Sequence, residues 1–158
     1  MAQYWWSGYL SNSWFYSWYA TGLEQYSAYV CVKELLGEEY ANEAYRIPWE
    51  REKERLVNGY YYRNPERLGV LGENKEMQIV QKQQLALQAA CSPLILLRAE
   101  ELAGGEEELL QVLRKLRMTE KERNYEKVQL SDLAEALNAE ITDLVEWSEE
   151  EQRYVFPR

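Results

Sequence analysis

The residues of this chain that could do chemistry are carboxylates and thiols, because the sequence contains no histidine. Short glutamate runs stand at positions 38–43, 100–101 and 106–108. Such runs can attract calcium or magnesium, but the calcium-loop pattern of alternating Asp or Asn around a central glycine is absent. We therefore interpret the runs as solvated acidic faces, and we expect no metal and no cofactor.

The candidate nucleophiles are Cys31 and Cys91, and neither has a histidine to act as its base. Lys33, close to Cys31, is only a weak substitute for one. Both cysteines stand among apolar residues of helix-like segments, so we expect two buried, reduced thiols. Gly69 and Gly72 lack the Lys-Ser/Thr pair that completes a phosphate-binding loop. We predict no catalytic residues and a protein that is not an enzyme.

The charge balance argues against nucleic acid as a direct partner. The chain carries 27 acidic and 18 basic side chains, which gives a formal charge of −9, and an acidic protein repels phosphate backbones. The densest basic stretch, positions 114–127, interleaves Arg and Lys with glutamates, as is typical of a solvated helix face. We expect no direct nucleic-acid binding.

The aromatic residues are concentrated in the first part of the chain, with 17 of the 21 at positions 1–62. Those near the N-terminus are too many for one amphipathic face, so some must contact a second surface, and Trp and Tyr are enriched at binding hot spots. The predicted partner-binding residues are Tyr4, Trp5, Trp6, Tyr9, Trp14, Tyr16, Trp18, Tyr19, Tyr60, Tyr61 and Tyr62. Tyr26 and Tyr29 are expected beside them. Burial in the chain's own core is the alternative that the sequence leaves open.

Two structures fit the N-terminal aromatic run. It can form an aromatic β-hairpin that turns at 11–13, or a helix capped by Ser13, and we favour the helix. Gly22 is expected to end either of them.

Helical spacing is clear after this run. The residues that recur there at helical intervals are Tyr29, Val32, Leu36 and Tyr40. They predict one helix over 23–46, which Gly37 kinks or splits. Pro48 should end this helix and open a second one at 49–58.

The second half of the chain is also expected to be helical. The predicted segments are 75–91, 93–102, 106–118 and 131–146, the last as one or two helices. Ser92 and Pro93 should end one helix and begin the next, and Gly104 with Gly105 should stop that helix. Ser148 is followed three residues later by Glu151, a capping-box pattern that predicts one more helical turn.

These elements predict a mainly α fold, either one multi-helix domain or two small helical halves. Composition separates an aromatic-rich N-terminal region, 1–62, from an aliphatic and charged helical region, 63–158, with an irregular connection at 59–74. The second region ends in a stretch, 130–147, that is similar to a helix-turn-helix unit. The side chains that its second helix would offer to DNA are those of Glu140, Asp143 and Glu146. Because they are acidic and do not read bases, we interpret the unit as a packing or docking version.

The sequence therefore favours a non-enzymatic, helical protein-interaction subunit, adaptor or assembly factor. It would dock through its aromatic N-terminal segment onto another protein or onto its own copies. One alternative is a small acidic inhibitor, of the type that phages encode, which mimics nucleic acid on a nucleic-acid-binding target. A second alternative is a helix-turn-helix regulator.

We expect the protein to be cytoplasmic. The stretch from Met1 to Leu23 is uncharged but poor in aliphatic residues, so no transmembrane segment is expected. Positions 1–32 contain no Lys or Arg, so contact with a membrane surface is not expected either.

Overall fold

The fold is that of a computed structural model, which describes residues 18–122, 130–148 and 153–155. The predicted N-terminal helix or hairpin over residues 4–17 lies outside the described residues. The α-helices are α1 (Trp18–Leu36), α2 (Glu38–Ala41), α3 (Ile47–Val57), α4 (Tyr60–Arg63), α5 (Glu73–Ala86), α6 (Ser92–Ala103), α7 (Glu106–Glu122), α8 (Leu130–Ala136) and α9 (Ile141–Leu144). The mainly helical class is confirmed.

The remaining elements are short. Two π-helical turns, Asn42–Arg46 and Leu87–Cys91, join α2 to α3 and α5 to α6, and a 3-10 helix covers Pro65–Val70. Strands β1 (Glu146–Ser148) and β2 (Arg153–Val155) form an antiparallel pair. Ser148 ends β1 and pairs with Arg153, and the helical turn predicted after it lies outside the described residues.

Pro48 and Pro93 lie in the first turns of α3 and α6, as the sequence predicts, but the prediction that the preceding helix ends there is wrong, because a π-helical turn continues into each of them. Each proline follows a π-helical turn, where the Ile47 N–H donates to the Asn42 carbonyl and the Ser92 N–H donates to the Leu87 carbonyl, five residues back. A proline has no N–H to donate, and its ring crowds the carbonyl four residues earlier. The wider turn relieves this crowding, so the chain stays helical over 38–57 and 73–103.

The glycines at two real helix ends act as the sequence predicts. Gly37 has φ of +94° and separates α1 from α2, which confirms a split at this position. Gly104 takes the left-handed conformation that ends α6, and its N–H and that of Gly105 both donate to the Glu100 carbonyl. Only glycine adopts such φ values without strain.

Gly22 does not end a helix but lies inside α1, against α6. A Cβ atom built on Gly22 would stand 2.9 Å from the Ser92 Cβ and 3.2 Å from its backbone carbon. The absence of a side chain therefore lets the two helices approach closely. The predicted helix end at this position is wrong because the glycine serves packing, which local sequence does not reveal.

The main core cluster lies between α1, α6, α7, α8 and α9. Its buried residues are Leu23, Tyr26, Ile95, Leu96, Ala99, Leu109, Leu113, Leu116, Leu133, Ala134, Leu144 and Val145. A second cluster contains Leu56, Val57, Tyr62, Ala86 and Cys91, and a third contains Tyr29, Ala41, Trp49 and Ala90. All three clusters combine residues of the regions 1–62 and 63–158, whose division into domains stays a prediction.

No helix among the described residues combines the length and the apolar composition needed to cross a membrane.

The contact between Gly22 and Ser92 predicts that a methyl group at Gly22 destabilises the fold. We expect Gly22→Ala to lower the free energy of unfolding by roughly 1–3 kcal/mol, the usual cost of overpacking. The control is Gly69→Ala, where an added Cβ meets nothing within 4 Å and φ is not positive. Urea unfolding followed by circular dichroism measures both. Equal stability of the two variants would contradict the packing role.

Candidate functional site

The predicted partner-binding residues fall into three groups in the structure. Tyr4, Trp5, Trp6, Tyr9, Trp14 and Tyr16 lie outside the described residues. Trp18 and Tyr19 belong to the first turn of α1. Tyr60, Tyr61 and Tyr62 form most of α4, near the start of the connection between the two long helical segments.

The three tyrosines of α4 do not share one environment. Tyr60 is 61% exposed, Tyr61 is half-buried, and Tyr62 is buried in the second core cluster. The ring centroids of Tyr60 and Tyr61 lie 5.2 Å apart, edge to face, which is a favourable aromatic geometry. The structure therefore brings Tyr60 and Tyr61 together at the surface and places Tyr62 in the core.

Tyr26 and Tyr29 line the buried face of α1, so the expectation that they lie on the partner surface is wrong. The Tyr26 hydroxyl donates to Glu100 Oε2 at 2.5 Å, and the Tyr29 hydroxyl donates to Asn42 Oδ1 at 3.0 Å. One turn further, Lys33 Nζ forms an ion pair with Glu106 Oε2 at 2.7 Å. Polar groups on this face are thus satisfied inside the fold.

These contacts shift the proton affinities of the groups involved. Burial, assisted by the hydrogen bond to the Glu100 carboxylate, raises the pKa of Tyr26. The hydrogen bond to Glu106 raises the pKa of Lys33. Both shifts favour the protonated form that the contact requires.

The glutamate runs differ in how many of their carboxylates bind other side chains of the same chain. Glu100 accepts from Tyr26, Glu101 pairs with Arg98, and Glu106 pairs with Lys33. The run 38–43 contributes no ion pair among the described residues. Within the same part of the chain, no three His, Cys, Asp or Glu side chains come close enough together to hold a metal ion.

A cavity of about 180 Å³ lies beside α3, α6 and α9, which is small for a ligand pocket. Arg46 on its wall pairs with Glu50 at 3.1 Å, and Arg98 pairs with Glu101 at 2.8 Å. Arg98 also donates from Nε to the Asp143 carbonyl at 3.2 Å. The two arginines on the cavity wall are therefore already engaged by neighbouring residues of the same chain.

The stretch similar to a helix-turn-helix, 130–147, contains α8, a turn and the single helical turn α9. The prediction of a helix up to residue 146 is wrong, because Val145 is extended and Glu146 begins β1. The Glu140 N–H donates to Asp143 Oδ2 at 2.8 Å, and the Glu140 side chain accepts the N–H of residue 143 in return. These two carboxylates therefore cap α9. Leu133 and Leu144 anchor the unit in the main core cluster.

Three exposed large apolar residues where α1 ends and α2 begins were not among the predicted site residues. Leu35 and Leu36 end α1, and Tyr40 lies in α2, with 81%, 60% and 54% of their surfaces exposed. Leu36 and Tyr40 fit the helical spacing of Tyr29, so the sequence places them on a buried face. Both residues are nevertheless exposed, at the end of α1 and in the short helix that follows Gly37.

The two cysteines also differ, and the prediction that both are buried is wrong for Cys31. Cys31 lies on the exposed side of α1, whereas Cys91 is buried in the second cluster, and both are free thiols. Burial raises the pKa of Cys91 to about 12. The thiolate that reacts with alkylating reagents is therefore disfavoured at this position.

We expect a maleimide reagent to modify one thiol per folded chain and both thiols after unfolding. The reactive residue in the folded chain is Cys31, because Cys91 is inaccessible and stays protonated. Intact-mass spectrometry of Cys31→Ser and Cys91→Ser identifies the modified residue. Rapid labelling of the folded Cys31→Ser variant would contradict the burial of Cys91.

The Tyr26–Glu100 hydrogen bond predicts a specific loss of stability at high pH. The folded chain holds the Tyr26 proton more tightly than the unfolded chain, whose tyrosines have a pKa of about 10. The stability from this bond is therefore complete below that pH and declines as the pH rises above it. We expect Tyr26→Phe to cost roughly 2 kcal/mol at neutral pH and to flatten the alkaline decline.

Urea titrations at several pH values measure this effect, with Tyr60→Phe as the exposed control. Identical alkaline profiles for Tyr26→Phe and the unmodified chain would show that the bond does not form in solution.

Comparison of the chain with known protein families, with curated proteins and with solved structures found no match.

Proposed function

We propose that the protein is a non-enzymatic interaction subunit that docks onto a partner protein through an aromatic surface. The observation that carries this proposal is the exposed ring of Tyr60, which packs edge to face against Tyr61. Tyrosine is enriched at interface hot spots because it combines a large rigid area with a hydroxyl group.

The Tyr60–Tyr61 pair is ordered before a partner arrives. The Asn64 side chain donates to the Tyr60 carbonyl at 2.8 Å, and Tyr62 ties the same helical turn to the second core cluster. An anchor that is already ordered loses little conformational entropy on binding. This preorganisation supports a recognition role for the pair.

The N-terminal aromatic residues, Tyr4 to Tyr19, belong to the same proposal. Their support is their residue type, because Trp and Tyr dominate the energetics of many interfaces. We assign the main contacts in this segment to Trp14 and Trp18. The partner is another cytoplasmic protein or a second copy of this chain.

The test compares partner recovery with stability for tagged chains expressed in their native cells. We expect Trp14→Ala, Trp18→Ala and Tyr60→Ala each to reduce recovery of a stoichiometric partner by about ten-fold or more. The melting temperature should change by only about 2 °C. Val70→Ala is the control, since Val70 is apolar, 78% exposed and outside the proposed surface.

Quantitative mass spectrometry measures partner recovery, calorimetry measures the melting temperature, and light scattering measures the oligomeric state. Parallel losses of recovery and melting temperature would place the aromatic residues in the core and contradict the proposal. A monomer that recovers no partner would overturn it. If the recovered partner is a nucleic-acid-binding protein and added salt dissociates the complex, the result would favour the alternative function, an acidic inhibitor that mimics nucleic acid.

A further inference from the structure

The corner between α1 and α2 exposes an apolar surface within a short stretch of chain. All seven residues from Glu34 to Tyr40 are exposed. Leu35, Leu36 and Tyr40 form its apolar part, which we name the corner surface. Monomeric proteins rarely leave large apolar side chains grouped in this way without a binding role.

The corner surface is held in a fixed position by contacts on its buried side. The Gly37 N–H donates to the Lys33 carbonyl at 3.0 Å, and the Lys33 side chain is tied to Glu106. Ala41, directly after the corner, is completely buried. The next residue, Asn42, accepts the Tyr29 hydroxyl. A partner would therefore meet a preformed surface, which lowers the entropic cost of binding.

The charged side chains from position 34 to 45 all have one sign. Four exposed glutamates surround it in the sequence: Glu34, Glu38, Glu39 and Glu43. No Lys or Arg occurs from position 34 to 45, and these four carboxylates form no ion pair among the described residues. By contrast, the exposed apolar residues Val70 and Met77 stand near both signs of charge, including Arg67, Lys75 and Glu73.

We propose that the corner surface binds a basic amphipathic helix of a partner protein. The apolar face of that helix would cover Leu35, Leu36 and Tyr40, and its Lys or Arg side chains would face the four glutamates. A second copy of this chain is a poor occupant, because a symmetric contact would bring two sets of four carboxylates together. This inference adds a surface distinct from Tyr60 and does not depend on it.

The test uses the full chain and a fluorescein-labelled peptide of about 18 residues, long enough for five helical turns. The peptide is built only of Leu and Lys in an amphipathic pattern. Fluorescence anisotropy measures its binding, and the same peptide with Glu in place of Lys is the charge control. We expect the Leu–Lys peptide to bind more weakly as NaCl rises from about 50 to about 300 mM.

Two pairs of variants separate the apolar and the electrostatic contributions. We expect Leu35→Ser/Leu36→Ser to weaken peptide binding by about ten-fold, whereas Val70→Ser changes it by less than about two-fold. Glu38→Lys/Glu39→Lys should cause a similar loss and a weaker salt dependence. The matched control is Glu107→Lys/Glu108→Lys, which reverses two exposed glutamates in the first turn of α7.

Several outcomes would overturn the inference. They are no binding of the Leu–Lys peptide, equal binding of the Leu–Glu peptide, and equal losses in the corner variants and their controls. A dimer that light scattering detects and that Leu35→Ser/Leu36→Ser dissociates would show a second copy as the occupant. Tyr60→Ala should leave peptide binding unchanged, so failure here and failure of the aromatic surface are distinguishable.

Discussion

The close approach of α1 and α6 at Gly22 and Ser92 determines where many of the other contacts can form. With the two helices in contact at that point, Leu23 and Tyr26 reach the core residues of α6. The same placement brings the Tyr26 hydroxyl to Glu100, and one more turn brings Lys33 to Glu106 at the start of α7. A single missing side chain thus allows a row of polar contacts that holds α1 along its length, including the end that carries the corner surface.

The π-helical turn before Pro93 also contributes to the contact between Gly22 and Ser92. It keeps the chain helical through the proline and leaves four consecutive residues buried, from Ala90 to Pro93. Ser92 is the one polar side chain among them, and its hydroxyl donates to the Leu87 carbonyl at 3.0 Å. That bond satisfies the hydroxyl without a partner from α1. The small serine can therefore stand directly against Gly22, where a larger side chain would separate the helices.

Local chemistry in the sequence predicts part of this structure well. Helical spacing identifies the helices, and the glycines at 37 and 104 mark real breaks because each requires a positive φ. The errors at Gly22, Pro48 and Pro93 share one cause, since each depends on a packing partner or a widened turn that lies outside the local pattern. The candidate site fails in the same way. Composition identifies the aromatic residues but not their burial, which separates Tyr60 from Tyr62, and helical spacing does not show that Leu36 lies in solvent at the end of α1.

The glutamates of this protein differ in whether they bind other side chains of the same chain, and this difference affects where negative charge faces solvent. Glu101 and Glu106 are each paired with a cation of the same chain, which offsets their charge, and Glu100 accepts the neutral Tyr26 hydroxyl. The glutamates around the corner surface have no such partner among the described residues. At the corner surface, negative charge and exposed apolar side chains therefore occur in the same short stretch of chain. Electrostatic attraction raises the rate of encounter, and burial of Leu35 and Leu36 would slow dissociation, so the two features together select a partner that is both basic and apolar.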